Sequence, residues 1–272
     1  MRRGASIHLP AEGHLLATGD LHDNALNFRR ILKLADLDHE SPASAKDPGP
    51  RYLVLHEVIH GPDRVNGLDL SIRMLTRCAE LKVRYAERLL VLQSNHELAQ
   101  LRSETITKEG VSVVEAFDEG IDFLYAGKAE QVRAAANDYI RSLPLAIRCA
   151  NGVMISHSLP SPRRIEMFDP AVLDRDLTDA DLDLHGSAYE MVWGRYQTEK
   201  VCRELAEAWG VSVFIVGHQP VEMGYEPVAH NTLIIASDHG HGVAVAVDLS
   251  QTYTRAQLIH RIRPLAGVSV PL

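Results

Sequence analysis

One local pattern repeats along the chain: an apolar run ends in a polar cluster, and a segment whose apolar residues have helical spacing follows. The first run, residues 15–18, ends in Gly19-Asp20-Leu21-His22, and residues 26–37 follow with helical periodicity. The run 89–92 ends in a polar cluster in the same way. Such repeats predict right-handed βαβ crossovers, which place the clusters at one end of a sheet. The pattern therefore predicts an α/β fold with a site at the carboxyl ends of its strands.

Five polar clusters follow five predicted strands in this way. They are Asp20 with His22, Glu57 with His60, Asn95 with His96, His157, and His218. A single histidine at a strand end is usually structural, because neutral imidazole is tolerated where both ring nitrogens find partners. Five clusters in one register indicate instead a shared site of carboxylate, amide and imidazole groups.

Length and charge limit the classes of protein that this chain fits. Its 272 residues predict a single domain, 1–272. The formal net charge of −8 argues against nucleic acid as the main partner, because proteins that bind it usually carry a basic patch. The three cysteines are widely spaced, which predicts buried free thiols. Since Met1-Arg2-Arg3 precedes no apolar stretch and no run is long enough to span a membrane, we expect a cytoplasmic protein without a membrane partner.

The remaining segments are predicted from periodicity and turn residues. Helices are expected over 68–86 and 129–141, and Asn151-Gly152 predicts a hairpin between strands 146–150 and 153–156. Strands 232–236 and 243–247 are expected to pair antiparallel. Residues 40–50 predict a proline-rich loop, and residues 160–190 predict an insertion or cap loop over the site.

Four short motifs carry a resemblance to a known family. They are GDLHDN (19–24), SNHE (94–97), SHSLP (156–160) and GHQP (217–220). In order and spacing they resemble the motifs of the calcineurin-like metallophosphoesterases, in particular the branch of serine/threonine phosphatases and dinucleoside tetraphosphatases. The resemblance covers nearly the whole chain apart from the 160–190 segment. It implies a four-layer α/β sandwich in which mixed central sheets are flanked by helices.

The resemblance also implies a role for each matching residue. One metal ion would be held by Asp20, His22 and Glu57, and a second by Glu57, Asn95, His157 and His218. Carboxylate, imidazole and amide ligands suit Mn, Fe or Zn better than calcium. Two such ions would activate a bridging hydroxide for attack on a phosphomonoester. His96 would protonate the leaving oxygen, and Arg195 would contact the substrate phosphate.

The second motif departs from the family pattern. Residues 51–63, RYLVLHEVIHGPD, lie where the family has a strand followed by Gly-Asp-x-x-Asp-Arg-Gly. Glu57 takes the place of the bridging aspartate, His60 that of the aspartate that supports the catalytic histidine, and the arginine is absent. Asp23 or Glu97 would then be substitutes that support His96. The extra methylene of Glu57 shifts its carboxylate by about one bond length, whereas sites need placement within about 0.5 Å.

The same residues spell His-Glu-x-x-His, the short signature of zinc proteases. That site requires His56 and His60 on one face of a helix. Residues 52–55 favour a strand and Gly61-Pro62 ends any helix, so the protease is a lesser alternative. Whether residues 52–60 are helical decides it.

Two functions remain open. The leading hypothesis is a dinuclear-metal-dependent phosphoesterase that hydrolyses phosphomonoesters, either phosphoprotein or small nucleotides such as dinucleoside polyphosphates. The alternative is a catalytically impaired relative that keeps the fold as a binding or regulatory protein. The altered second motif favours the alternative, and the intact residues of the other four clusters favour catalysis.

Overall fold

The computed structural model describes residues 1–38, 49–108 and 110–271. Its strands are β1 (Arg2–Arg3), β2 (Ser6–Leu9), β3 (His14–Asp20), β4 (Arg51–His56), β5 (Leu89–Val91), β6 (Thr107–Lys108), β7 (Val111–Ser112), β8 (Ala146–Cys149), β9 (Val153–Ser156), β10 (Val213–Val216), β11 (Tyr225–Val228), β12 (Thr232–Ile235), β13 (Val243–Asp248) and β14 (Ile262–Pro264). Its α-helices are α1 (Ala25–Ala35), α2 (Ile72–Tyr85), α3 (Asn95–Arg102), α4 (Val113–Tyr125), α5 (Ala129–Arg141), α6 (Asp179–Leu182), α7 (Ser187–Trp193), α8 (Glu199–Trp209) and α9 (Arg255–Ile259). Short 3-10 helices cover Ala86–Arg88, Ala126–Lys128, Ile165–Met167, Pro170–Asp174 and Leu265–Gly267.

Two mixed sheets form the centre of the molecule. One has the strand order β1-β2-β8-β9-β10-β12-β11, and the other has the order β14-β13-β3-β4-β5. Strands β3, β4 and β5 are parallel to one another, as are β9, β10 and β12. The predicted mixed α/β architecture is therefore confirmed.

Alternate residues of the central strands face opposite layers, as the pleat of a strand requires. In β4, Tyr52 and Val54 lie in the core between the two sheets, whereas Leu53 and Leu55 pack against helices. Strand β10 alternates in the same way on its own sheet. Helices α1, α2, α4 and α5 cover one outer face, and α7 and α8 cover the other. The order of layers is helix, sheet, sheet, helix.

Several predicted elements are confirmed. The helix expected over 129–141 coincides with α5, and those over 26–37 and 68–86 correspond to α1 and α2. Strands β8 and β9 form the predicted antiparallel hairpin, in which Gly152 has a φ of 87° that suits glycine. The three cysteines are buried free thiols, as expected. Within the described ranges, no helix is long and apolar enough to cross a membrane.

The predicted pairing of strands 232–236 and 243–247 is wrong. Strand β12 pairs with β10 and β11 in one sheet, while β13 pairs with β3 and β14 in the other. The residues between them pass from one sheet to the other. Their path is tied to the end of β3, since Gly19 N donates to Ser237 Oγ at 2.9 Å and Ser237 N donates to Asp20 O at 3.0 Å.

The segment 160–190 contributes several buried residues to the core. Phe168, Val172 and Leu173 are buried against α7 and α8. None of its residues lines the cleft described below. Residues 40–48 of the predicted proline-rich loop lie outside the described residues, and the single-domain assignment stays a prediction.

Candidate metal centre

The carboxyl ends of parallel strands from both sheets meet at one cleft of about 640 Å³. Seven of the residues singled out from the sequence line it: Asp20, His22, Glu57, Asn95, His96, Arg195 and His218. His157, at the end of β9, is fully buried. The clusters thus belong to two facing sheets, whereas the sequence pattern predicted one end of a single sheet.

Several residues in the cleft or directly behind it have left-handed backbone conformations that are uncommon outside glycine. The φ angles are 44° at His22, 43° at Glu57, 59° at His60 and 66° at His218. Such conformations cost about 1–3 kcal/mol each and persist where the surrounding structure fixes them, often at functional sites. The turns that follow β3, β4 and β10 therefore hold these side chains in set directions.

The amino terminus of α3 positions Asn95 and His96. Ser94 caps this helix, and its Oγ accepts from the backbone N–H of His96 at 3.2 Å and of Glu97 at 3.4 Å. Glu97 Oε1 accepts from the backbone N–H of Val58 at 2.9 Å, which ties the turn after β4 to α3. The Ser-x-x-Glu sequence is the pattern of a helix capping box. Serine in place of the family's glycine therefore has a local structural role.

Four possible metal-ligand atoms lie close together, and one of them is His157 Nε2. This nitrogen lies 2.7 Å from Asn95 Oδ1, 3.0 Å from Glu57 Oε2 and 3.2 Å from His218 Nδ1. His218 Nδ1 also lies 3.0 Å from Asn95 Oδ1. Neighbouring ligands about 2.1 Å from one ion stand about 3.0 Å apart in octahedral and about 3.4 Å apart in tetrahedral geometry, so these spacings are close to those around a common cation.

Ring hydrogens account for only some of the close contacts among these four atoms. A ring nitrogen carries at most one hydrogen, so His157 Nε2 donates to only one of its three neighbours. Carboxylate and amide oxygens supply no hydrogen of their own. The donor set of one carboxylate, one amide oxygen and two imidazoles fits a transition-metal ion such as Mn, Fe or Zn.

A second cluster shares the Glu57 carboxylate. Glu57 Oε1 lies 2.9 Å from His22 Nε2 and 3.4 Å from His96 Nε2, and the three side chains are grouped closely enough to hold an ion. One carboxylate oxygen therefore faces each cluster, which is the arrangement that a bridging ligand requires.

Asp20 lies next to these two clusters and belongs to a third group of possible metal ligands. Both of its carboxylate oxygens accept from the backbone N–H of His218, at 2.9 and 2.8 Å. Asp20 Oδ1 is 3.4 Å from His157 Nδ1, and the group in which Asp20 could help to hold an ion contains His56 and His157 rather than the expected His22 and Glu57. Burial, and then the nearby Glu57 carboxylate, raise the pKa of Asp20 to about 7. A bound cation would favour its ionised form.

Two other residues are in the protonation states that metal binding needs. Burial would raise the pKa of Glu57, but His22, His96 and His157 outweigh it and hold the pKa well below its ordinary value. Burial lowers the pKa of His218 well below its ordinary value. At neutral pH, Glu57 is therefore a carboxylate and His218 is a neutral imidazole.

Comparisons of the structure with solved structures identify the fold. It is similar to a protein serine/threonine phosphatase from Saccharomyces cerevisiae with similarity to human phosphatase PP5, with a TM-score of 0.62 and 13% identity over 90% of this chain and 77% of the other. It is also similar to a cold-active protein-tyrosine phosphatase of a psychrophilic Shewanella, with a TM-score of 0.59 and 14% identity over 92% and 79%. No family model and no curated protein matches the sequence.

The chain has the metallophosphoesterase fold. This confirms the architecture that the four motifs implied, although the two neighbours share only 13% and 14% of residues with this chain.

Residues 52–60 are not helical, so the zinc-protease alternative is wrong. Strand β4 covers Arg51–His56, and the residues after it form no helix. His56 belongs to the group with Asp20 and His157, whereas His60 contacts His96. The two histidines of the motif therefore face different neighbours.

His60 lies behind His96, where the metallophosphoesterase pattern has an aspartate. Their Nδ1 atoms are 2.9 Å apart, and both side chains are buried. Asp23, the other predicted support, lines a neighbouring cleft with Gly61 and Arg73, and its catalytic role stays a prediction. Arg195 Nε donates to His218 Nε2 at 2.9 Å, which places the guanidinium at the edge of the cleft.

His56 is a buried neighbour of the site, and the sequence pointed to it only as part of the protease motif. It stands where the metallophosphoesterase motif has glycine, and it is fully buried. Neither of its ring nitrogens has a hydrogen-bond partner among the residues that the structure describes. Burial, and then His157, lower its pKa to about 3, so the ring is neutral. A histidine directly before Glu57, at the end of an apolar strand, was the available signal.

Proposed function

We propose that this chain is a dinuclear-metal-dependent phosphoesterase that hydrolyses phosphomonoesters. The observation that carries the proposal is the convergence of Glu57, Asn95, His157 and His218, whose donor atoms lie 2.7–3.2 Å from His157 Nε2 or from each other. A protein that used this fold only for binding has no evident need of such a cluster.

The two groups of ligand atoms that share Glu57 support a proposal of two ions. One ion would be held by Glu57, Asn95, His157 and His218, and the other by His22 and Glu57 with Asp20 on the same cleft. Mn, Fe and Zn suit these ligands. Two such ions would supply Lewis-acid charge and an activated water for attack on phosphorus.

The remaining cleft residues handle the substrate. His96 Nε2 faces Glu57 Oε1 in the cleft, and the protonated ring would donate to the leaving oxygen. The Arg195 guanidinium would bind the phosphate, because charged and directed hydrogen bonds suit phosphoryl oxygens. We further propose a phosphorylated protein or a small nucleotide as the substrate.

Metal reconstitution tests this function. The purified chain is stripped of metal, reloaded with manganese, analysed for metal content and assayed with p-nitrophenyl phosphate. We expect metal-dependent turnover, and we expect Asn95→Ala to lower kcat by at least about 10²-fold through loss of the second ion. His230→Ala, which changes an exposed histidine bound to Glu199, is the control and should keep wild-type turnover.

Two outcomes would count against the proposal. Stoichiometric metal binding with no turnover of any phosphomonoester would favour the catalytically impaired binding protein. Failure to bind metal at all would remove the basis for both ions.

A further inference from the structure

A buried chain of hydrogen bonds leads away from His96. His96 Nδ1 lies 2.9 Å from His60 Nδ1, and His60 Nε2 lies 3.0 Å from Gln100 Oε1. Gln100 Nε2 then donates to Asp118 Oδ1 at 3.0 Å. His96, His60 and Gln100 are each buried, and Asp118 lies at the outer end of the chain.

The carboxylate at the outer end sets the direction of every bond. Because the Asp118 oxygen accepts from the amide nitrogen of Gln100, the amide oxygen must face His60. His60 Nε2 is therefore the donor of that bond, and the neutral ring has its lone pair on Nδ1. His96 must then donate from Nδ1, which leaves its Nε2 facing the cleft as the atom that takes up and releases a proton.

The hydrogen-bonded residues His96, His60, Gln100 and Asp118 are held by separate elements of the fold. His96 and Gln100 stand one turn apart on the same face of α3, and Asp118 comes from α4. The His60 backbone N–H donates to Ser71 Oγ at 3.0 Å. The Phe117 ring contacts the His60 ring edge to face, with centroids 5.4 Å apart. The His60 ring is thus held on several sides.

We propose that Gln100 and Asp118 are positioning residues that orient His96 through His60. The family pattern places a carboxylate at position 60, next to His96. Here that carboxylate is displaced to position 118 and acts through an imidazole and an amide. The proposal rests on the proposed function, since it concerns the group that would protonate the leaving oxygen.

The row of hydrogen bonds from His96 to Asp118 orients His96 but does not conduct protons. An amide nitrogen does not exchange its proton for one on the amide oxygen in the way that the two imidazole nitrogens do. A proton taken up at His96 Nε2 is therefore shared no further than His60, and it leaves this pair of rings only to the leaving group or to water. Gln100 and Asp118 act by fixing the ring and its tautomer.

The first test compares two esters that differ in their need for a general acid. Gln100→Leu should lower kcat for phenyl phosphate by roughly 10–100-fold, part of the 10²–10⁴-fold that general acids supply. It should lower kcat for p-nitrophenyl phosphate by less than about threefold, because that leaving group departs without a proton. KM for both esters should change by less than about twofold. Metal content should be unchanged.

Two further variants distinguish a loss of His96 orientation from a non-specific loss of activity. Asp118→Asn keeps the size of the side chain but removes the acceptor that orients Gln100, so it should show the same selective loss in weaker form. Glu119→Gln is the matched control, because Glu119 is the next residue along α4 and its side chain is exposed. It should match the wild type with both esters. An equal loss with both esters in Gln100→Leu and Asp118→Asn would overturn the proposal.

The second test needs no bound metal and no activity. Nitrogen NMR of histidine-labelled, metal-free protein at a pH of about 9, where histidines with ordinary pKa values near 6.5 are neutral, reports which ring nitrogen carries hydrogen. His96, assigned from the spectrum of His96→Asn, should carry it on Nδ1 in the wild type, because the 2.9 Å bond to His60 is shorter than the 3.4 Å approach of His96 Nε2 to Glu57 Oε1. It should show both tautomers in Gln100→Leu and Asp118→Asn. A single unchanged tautomer of His96 in both variants would contradict the proposal that Gln100 and Asp118 orient this ring. This holds whether or not the wild type hydrolyses phosphate esters.

Discussion

Arg195 and a bound metal ion require different tautomers of His218. Arg195 Nε donates to His218 Nε2, so the neutral ring has its hydrogen on Nδ1. Nδ1 is also the atom that faces Asn95 and His157. A cation bound there needs the lone pair of Nδ1, so the hydrogen must move to Nε2 and Arg195 must turn away. Metal binding would thereby release Arg195 toward the substrate.

We expect Arg195→Leu to change metal and substrate binding in opposite directions. The Kd for manganese should fall by roughly 3–10-fold, because the variant has no hydrogen bond to break at His218. KM for a phosphomonoester should rise by at least about 10-fold, as a charged hydrogen bond to phosphate is lost. Metal titration followed by steady-state kinetics measures both quantities. Arg203→Leu, an exposed arginine on α8, is the control, and weaker metal binding in Arg195→Leu would contradict this coupling.

His56 should reduce the stability of the metal-free protein. A buried polar group without a partner costs about 1–3 kcal/mol. His56→Leu, which fills a similar volume with apolar atoms, should therefore raise the free energy of unfolding by about that amount in denaturant titrations. His230→Leu, at an exposed position, should change it by less than about 0.5 kcal/mol. Destabilisation by His56→Leu would show that the imidazole has a partner in solution.

The segment from Thr178 to α6 is held by one carboxylate. Asp181 accepts two hydrogen bonds from Arg175, each 2.7 Å long, and one from the backbone N–H of Thr178 at 2.8 Å. The Arg175 guanidinium, followed by these other bonds, holds the pKa of Asp181 well below its ordinary value of 3.8. The ionised carboxylate is thus the form that stabilises the fold.

Asp181→Asn should lower the free energy of unfolding by about 1–2 kcal/mol at pH 7, since a helix cap and a partly exposed ion pair are lost. The folded-state pKa is depressed, so the wild-type advantage is complete above pH 4 or so and disappears as the pH falls below it. Denaturant titrations of both proteins across this range measure the difference. Metal content should not change, because the segment does not line the cleft. A difference that grows at low pH would contradict this assignment.

Local patterns predicted the elements better than their partners. The strand-end clusters and the 146–156 hairpin depend on neighbours in sequence, and each was predicted correctly. The pairing of β12 with β13 was not, because apolar alternation is the same whichever sheet a strand joins. For the same reason, the sequence did not show that the clusters belong to two facing sheets.

The positions of the site residues were predictable where a motif existed and were not predictable where no motif existed. The convergence of Glu57, Asn95, His157 and His218 followed from their positions after strands. The roles of His56 and Gln100 depend on burial and on contacts with residues distant in sequence. Gln100 stands four residues after His96, which in retrospect is a signal for a shared helix face.

In the whole molecule, the carboxylate of Glu57 contacts residues of both central sheets. Glu57 extends from the end of β4 and lies 2.9 Å from His22 of its own sheet and 3.0 Å from His157 of the other. If two ions bind, the negative charge of Glu57 offsets their mutual repulsion. The longer side chain, in place of aspartate, spans this junction.

The number of metal ions bound by Glu57→Gln tests this account most directly. Elemental analysis of reconstituted protein should give two ions per chain in the wild type and one or fewer in the variant, with nearly all phosphomonoester turnover lost. Glu222→Gln, which changes another glutamate of the cleft that lies outside the donor clusters, should keep both ions. Unchanged stoichiometry and an unchanged rate in Glu57→Gln would contradict the account.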